Sequence, residues 1–490
     1  MSIDLASTLA ALPPLPTQAA GYRAQVKAAL DAQKTESAPK IPLLVALDDD
    51  PTGTQTCHDV NVLTVWDVDT LTDEFRRTHS NPFYGFFILT NSRALHPGPA
   101  RQLIQEICRN LKEASAATSI PFEVVLRGDS TLRGHFPLEP EAVESVLGPA
   151  DAWVLCPFFL QGGRYTIHDV HYVLDPEQGV LVPAAETPFA KDATFGYTSS
   201  NLVDYAVEKG RGTIRREDVV SLPLEVIRGG VDGILSILKD LSGSRRVLVV
   251  NAAAEEDVDA VVLALLQAAA QYKKRFLFRT GAAFVSARLG IAPIAPISQK
   301  MLSLSMSGTR RGGLVIAGSY VPKTTAQLKV LTEKSGARLT AVVLKVNDLL
   351  ASEAASQKAI MDALAVAEKE IARSQDVLVM TSRDLVVGAD EAASLDIGAT
   401  VARALVSFLT QLSTQPAYVV AKGGITSSDM ATKALGFRRA RVVGQAAPGV
   451  PLWRCDEPTA KWPGLPYVVF PGNVGSNETL YEVVNGWRQT

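Results

Sequence analysis

Ile41-Pro42-Leu43-Leu44-Val45-Ala46-Leu47 runs directly into Asp48-Asp49-Asp50-Pro51-Thr52-Gly53-Thr54. A short unbroken apolar run closed by an acidic turn predicts a strand over residues 42–47 that is buried on both faces. The pattern recurs downstream, with strands expected at 61–65, 84–89, 122–126, 152–156 and 246–250. Helix-like stretches such as 97–117 and 254–272 lie between several of them. Apolar strands alternating with amphipathic helices predict an α/β fold with a mostly parallel sheet covered on both faces. A second series follows residues 291–296, whose Ala-Pro spacing resists helix and strand alike. Its strands are expected at 314–317, 339–344, 376–380, 417–421 and 440–443, and its helices at 323–334, 352–373 and 390–411. The fold class read from this is two α/β domains with mostly parallel sheets, joined near residues 290–312. Residues 1–40 read as a helical arm, interrupted at Pro13-Pro14, because two successive prolines stop a helix.

Composition narrows the function classes. Hydrophobic residues at 47% and charged residues at 20% exclude a largely disordered chain. With 48 Lys+Arg against 51 Asp+Glu, the net charge of −3 does not mark a nucleic-acid binder. The longest apolar stretch, near 258–270, falls short of the roughly 18–20 residues that span a bilayer, so no membrane association is expected. The N-terminus has no basic region followed by a continuous apolar run, so no secretory signal is expected. Cys57, Cys108, Cys156 and Cys455 are widely spaced, which fits a reduced, cytoplasmic protein without a structural zinc.

In α/β sheets ligands bind beyond the carboxyl ends of the strands, so the residues just after each run carry the chemistry. Asp48-Asp49-Asp50 places three adjacent carboxylates there, which repel unless cations or hydrogen-bond donors meet them. Such a cluster can orient hydroxyls, deprotonate one, or hold magnesium through water; a solvated turn is the plain alternative. After 84–89 come Thr90-Asn91-Ser92-Arg93, small donors closed by a guanidinium that could take a carboxylate in fork geometry, or simply cap a helix. After 122–126 come Arg127-Gly128-Asp129-Ser130-Thr131-Leu132-Arg133-Gly134, where two arginines bracket an Asp-Ser-Thr turn. Paired arginines suit carboxylate or phosphate recognition. His168-Asp169-Val170-His171 has the spacing of a metal pair, but no helix pattern or third ligand accompanies it, so an ordinary structural role is preferred.

The second series ends its strands in glycines instead. Gly318-Ser319 leads to Pro322-Lys323, Lys422-Gly423-Gly424-Ile425-Thr426 to Ser427-Ser428-Asp429, and Pro471-Gly472-Asn473-Val474-Gly475 to Ser476. None is a Walker A loop: the spacing from Gly318 to Lys323 is one residue short, and Pro322 stands where a glycine belongs. Three glycine turns at strand ends in one domain nevertheless suggest a nucleotide-phosphate cradle. No Gly-x-Gly-x-x-Gly follows a strand, which argues against a dehydrogenase.

At these residues the chain resembles the four-carbon acid sugar kinases, over roughly 41–485. Asp49-Asp50-Pro51-Thr52-Gly53, Asn91-Ser92-Arg93 and Asp129-Ser130-Thr131-Leu132-Arg133-Gly134 match the family's first half. Gly318-Ser319, Gly423-Gly424-x-Thr426 and Gly472-Asn473-x-Gly475 match its second half in order. The resemblance implies an acid-sugar-binding domain at 41–290, a nucleotide-binding domain at 291–490, and an active site in the cleft between them. It implies ATP-dependent phosphorylation of the terminal C4 hydroxyl of a 3-oxo-tetronate, threonate or erythronate, with ATP and Mg2+ required and the magnesium ligands left open. Substrate contacts would be Asp49, Asp50, Asn91, Ser92, Arg93, Arg127, Ser130 and Arg133. ATP contacts would be Ser319, Gly423, Gly424, Thr426, Gly472 and Gly475. Arg133 and Arg93 would clamp the carboxylate, and Asp129, slightly ahead of Asp49, would align the hydroxyl and accept its proton. The chain departs from the pattern at Ile425, where an acidic residue is frequent, at Phe470-Pro471, where a lysine is, and at Arg127, also a usual lysine. Those departures leave the substrate open. A kinase of five-carbon or branched aldonates and a non-catalytic nucleotide and sugar-acid sensor are the rival readings. A homodimer is the expected assembly.

Overall fold

The computed structural model describes residues 2–32, 41–80, 83–242, 246–302, 310–318, 321–383 and 391–488. The chain divides into two compact units, Met1–Pro293 and Ile294–Thr490.

In the first unit the described residues form an eight-stranded, all-parallel sheet. From one edge to the other it runs Val219–Leu222, Val247–Val250, Ala152–Cys156, Phe276–Thr280, Phe122–Arg127, Leu43–Asp48, Gly85–Leu89 and Val60–Leu63. Leu43–Asp48 is buried at every position, as a strand covered on both faces requires. The register sets Asp48 opposite Leu89 on one side and Arg127 on the other, so the three strand ends that carry the acidic and arginine motifs finish level. Pro97–Thr118 and Glu255–Tyr272 are the long helices anticipated from their pattern. Pro97 opens its helix where the missing N–H has no intrahelical partner to lose.

Val219–Leu222, Phe276–Thr280 and Val450–Arg454 escape the sequence reading, and so do three short strands that lie together, Arg164–Ile167, Val170–Asp175 and Val180–Pro183. With Ile3–Asp4 these last three build a separate antiparallel sheet. Its first hairpin pairs Ile167 with Val170 and turns at His168 and Asp169, both with positive φ (49° and 65°). Two left-handed central residues suit a tight hairpin, but Asn-Gly rather than His-Asp is the sequence signal for it. The described N-terminal residues, 2–32, pack onto this unit. Tyr22, Val26 and Leu30 of the helix Tyr22–Ala32 are buried against Glu255–Tyr272, and Arg23 binds Asp259, Glu255 and the Ile291 carbonyl.

The second unit carries its own sheet, in the order Arg439–Ala447, Val450–Arg454, Pro466–Phe470, Val419–Lys422, Leu314–Ala317, Asp376–Thr381 and Leu339–Leu344. The first two pairings are antiparallel and the rest parallel. Helices Pro322–Ser335, Glu353–Ala372 and Glu391–Gln411 lie close to their expected spans. Among the described residues no helix is long and apolar enough to cross a membrane, and all four cysteines are buried and unpaired.

Candidate active site

Four arginines (Arg93, Arg127, Arg133 and Arg279) and six carboxylates (Asp48, Asp49, Asp50, Asp129, Glu139 and Asp192) gather at the carboxyl edge of the first unit's parallel sheet. Asp50 pairs with Arg93 at 2.5 Å, and its other oxygen accepts the Thr52 N–H at 2.9 Å. Arg93 also faces Asp129 at 3.6 Å. Asp129 in turn accepts from Arg133 Nε at 2.7 Å and from the Thr131 hydroxyl. Arg133 reaches Asp192 at 3.9 Å. Burial works against charge at Asp129, yet Arg133, Arg93 and these hydrogen bonds outweigh it and hold the carboxyl far below the usual carboxylate range. Burial also opposes the Asp50 charge, and Arg93 and Thr52 again prevail. The structure brings Asp50, Arg93, Asp129 and Arg133, all singled out from sequence as substrate or catalytic residues, together as one chain of ion pairs.

Arg127 stands elsewhere. It is 3% exposed and contacts Asp48 at 3.4 Å and the Gln55 side-chain oxygen at 3.1 Å. Asp48 is buried and, with Asp49 and Asp50 beside it, has its pKa raised well above normal despite Arg127. Arg127 is therefore paired with Asp48, not with Asp50 or Asp129. Ser130 is buried with its carbonyl taken by His171 Nε2 at 2.7 Å. Ser92 donates to Glu139 at 2.5 Å and offers its carbonyl to His135, while Asn91 holds a left-handed φ of 50° that starts the turn.

Asp49 differs from its neighbours. It is 4% exposed, and neither carboxylate oxygen has a hydrogen-bond partner. Its nearest cation is Arg279, 3.8 Å away, which also faces Glu139 at 3.7 Å and donates to the Arg133 carbonyl at 3.3 Å. Arg279 and Glu139 were missed from sequence. The missed signal was there: Phe276-Leu277-Phe278-Arg279-Thr280-Gly281 repeats the apolar-run, arginine, glycine order of Val124-Val125-Leu126-Arg127-Gly128. Two glycines make room for Arg279. A Cβ on Gly128 would fall 1.6 Å from its Nη1, and one on Gly134, at a φ of 126°, 2.4 Å from its Nη2. Gly128→Ala is therefore expected to destabilise the unit by about 1–3 kcal/mol, as overpacking does. Thermal melting checks this. The loss in the Gly128→Ala, Arg279→Ala double variant should be smaller than the sum of the two single losses.

His168-x-x-His171 holds no metal geometry. His168 is a turn residue. His171 is buried between the Thr166 hydroxyl and the Ser130 carbonyl, and burial lowers its pKa to about 4. Among the described residues no three His, Cys, Asp or Glu side chains are grouped to hold a metal ion. Magnesium can still be carried with few protein ligands, because it keeps waters and binds substrate phosphates.

In the second unit Gly423 and Gly424 follow Val419–Lys422, and Gly472 and Gly475 follow Pro466–Phe470 on the paired strand. Gly423 (φ 108°) and Gly475 (φ 81°) occupy backbone conformations that side chains rarely adopt. The loops are tied together by side chains. Lys422 donates to the Pro471 carbonyl and lies 4.4 Å from the Phe470 ring centre. Thr324 donates to the Gly472 carbonyl at 3.2 Å, and Gln327 to those of Val474 and Ser476 at 3.0 and 2.7 Å. Thr426 stands by Gly318, its hydroxyl 3.3 Å from where a Cβ there would lie. Gly472 has open space around its Cα. Ser319 lies outside the described residues. Ile425 is 69% exposed beside the glycine pair.

Strand-end ion pairs in one α/β unit and strand-end glycine loops in the other define a two-part ligand-binding protein. A sugar-binding N-terminal domain matches residues 44–288, and a nucleotide-binding C-terminal domain matches residues 314–480. With those two domains in this order, the chain belongs to the four-carbon acid sugar kinase family. A curated relative, a D-erythronate kinase of Heliobacterium modesticaldum, is 27% identical over 186 residues, covering 37% of this chain and 38% of the relative. The match thus spans well under half the length of that relative. Two solved structures share the fold. A protein of Salmonella typhimurium LT2 superposes with a TM-score of 0.64 at 16% identity, covering 91% of this chain and 99% of its own. Protein HI1011 of Haemophilus influenzae gives 0.57 at 17% identity, covering 91% and 100%.

Proposed function

We propose that the protein is an ATP-dependent kinase that phosphorylates the terminal C4 hydroxyl of a four-carbon acid sugar such as threonate, erythronate or a 3-oxo-tetronate. The supporting observation is the pairing of a dense arginine–carboxylate cluster in a sugar-binding domain with three glycine loops in a nucleotide-binding one. A polyhydroxylated anion needs alternating acceptors and cations, and Asp49, Asp50, Arg93, Asp129 and Arg133 supply them within one cluster. Ser92, Asn91 and Ser130 shape the turns from which those side chains project. In the other domain Gly423, Gly424, Thr426, Gly472 and Gly475, with Ser319, serve the nucleotide phosphates.

Phosphoryl transfer asks mainly for alignment and charge neutralisation. Asp49 is the group we assign to align the hydroxyl and receive its proton, since both of its oxygens lack donors from the protein, whereas Asp48 lacks one only at Oδ2. Asp129, saturated by Arg133, Thr131 and Arg93, positions those arginines instead. Magnesium accompanying the nucleotide supplies the remaining charge neutralisation. The protein is further assigned to the cytoplasm, as a homodimer, in sugar-acid catabolism.

The test is ADP release from ATP and magnesium across D- and L-threonate, D- and L-erythronate, their 2- and 3-oxo forms and several five-carbon acids. Release with one four-carbon acid, and none without it, is the expected result. Release only with a five-carbon acid would replace the substrate, and nucleotide binding without any release would favour a sensor.

A further inference from the structure

We propose that Arg164, backed by Phe189 and standing beside Arg133, is the guanidinium that takes the carboxylate of the acid sugar. The inference rests on the sugar-acid reading of this same site and adds a residue that neither the strand-end motifs nor the parallel sheet supplies. Arg164 begins the strand Arg164–Ile167 of the small antiparallel sheet.

Charge accounting in the cluster singles it out. Arg93 is paired with Asp50, Arg127 with Asp48, Arg133 with Asp129, and Arg279 lies by Asp49 and Glu139. Arg164 alone among these arginines makes no ion pair with a described residue. Its Nη1 donates to the Gly162 carbonyl, and its buried Nε has no partner. Burial lowers its pKa, Asp129 opposes that shift, Arg133 adds to it, and Tyr197 opposes it more weakly. A guanidinium partly removed from water with donors unused is costly to keep, and a carboxylate presenting two oxygens matches its fork.

The surroundings mark where that carboxylate would sit. The Arg164 and Arg133 guanidinium carbons lie 5.6 and 5.2 Å from the centre of one ring, that of Phe189. Two like charges gathered on a single ring repel each other, and an anion arriving there relieves both. Arg133 is already engaged by Asp129 through Nε, so it can contribute field while Arg164 contributes unspent donors. The clamp expected from sequence, Arg133 with Arg93, thereby shifts toward the hairpin, because Arg93 is occupied by Asp50 and Asp129.

The experiment compares binding of an acid with that of its uncharged counterpart. Titration calorimetry would measure Kd for the four-carbon acid found active, or for threonate and erythronate if none turns over, and for threitol and erythritol. Arg164→Gln should weaken acid binding by about 10–100-fold, the range of a hydrogen bond to a charged group. It should leave alditol and ATP binding within about twofold. Arg164→Lys, which keeps the charge and the stem but not the fork, should fall between. Unchanged acid affinity in Arg164→Gln, or equal weakening toward acid and alditol, would overturn the assignment. A misfolded Arg164→Gln would be recognised by melting, and Arg164→Lys would then decide alone: full acid affinity there would refute the need for the fork. Wild-type protein that binds no sugar acid would refute the sugar-acid reading itself, while ATP binding would still be intact.

Discussion

Asp49→Asn is expected to lower kcat by about 10²–10⁴-fold with little change in the KM of the acid sugar, the loss typical of a removed general base. The side chain keeps its shape, so Arg279 and Gly134 remain undisturbed around it. What disappears is the acceptor whose two oxygens lack any donor from the protein. Asp129→Asn should behave in the opposite way. Its carboxylate holds Arg133 at 2.7 Å and faces Arg93 at 3.6 Å, so neutralising it loosens the binding cations and should raise KM more than it lowers kcat. Steady-state kinetics of the two variants with one acid measures both effects. If Asp129→Asn loses kcat at constant KM while Asp49→Asn loses affinity, the two roles are exchanged.

The second large effect concerns Lys422. This lysine is fully buried, has the Pro471 carbonyl as its hydrogen-bond acceptor, and its pKa is lowered to about 7 by burial and by Lys323. Lys323, on the helix Pro322–Ser335, is the charged group that acts on it; Asp429 on the following turn is paired with Lys433 at 2.7 Å. The ammonium therefore lies between two glycine loops, and among the described residues it has no counter-ion. A polyphosphate bound at those loops would favour the protonated form, so nucleotide affinity should be highest below pH 7. It should then fall as pH rises above 7, by at most about tenfold per unit. The stability of the nucleotide-free protein should move the other way. Between pH 7 and 10.5 the unfolded chain holds this proton more readily than the folded one, so this lysine makes stability rise with pH across that window. Lys422→Met should weaken MgATP binding by about 10–100-fold at pH 6.5 and flatten both pH dependences. Calorimetry from pH 6.5 to 9 and thermal melts over the same range would read them. A wild-type affinity that is constant across that range would refute the role.

Much of the fold was legible because parallel strands buried on both faces leave near-continuous apolar runs. Leu43–Asp48 and Gly85–Leu89 announced themselves in that way. The antiparallel strands from Arg164 to Pro183 did not. They are short, only Arg164–Ile167 alternates polar and apolar residues, and their turn at His168-Asp169 lacks the glycine that normally marks one. Arg279 was hidden for a related reason. Its strand is five residues long and follows Lys273-Lys274-Arg275, so a basic run masked a short apolar one.

The candidate site divides along the same line. Local sequence placed Asp49, Asp50, Arg93, Asp129 and Arg133 at strand ends, because the residue that follows a buried run must leave the sheet at its edge. Which charge meets which was not local. Asp50 and Arg93 are 43 positions apart, and only the parallel pairing of Leu43–Asp48 with Gly85–Leu89 brings them to 2.5 Å. The same order let Arg127 fall to Asp48, although its sequence context resembles that of Arg133. From its own residues the chain determined an α/β fold, two sets of strand-end chemistry and the family to which they belong. Tertiary structure alone decided which carboxylate remains without donors and which guanidinium makes no ion pair among the described residues, since pairing depends on the register of strands distant in sequence.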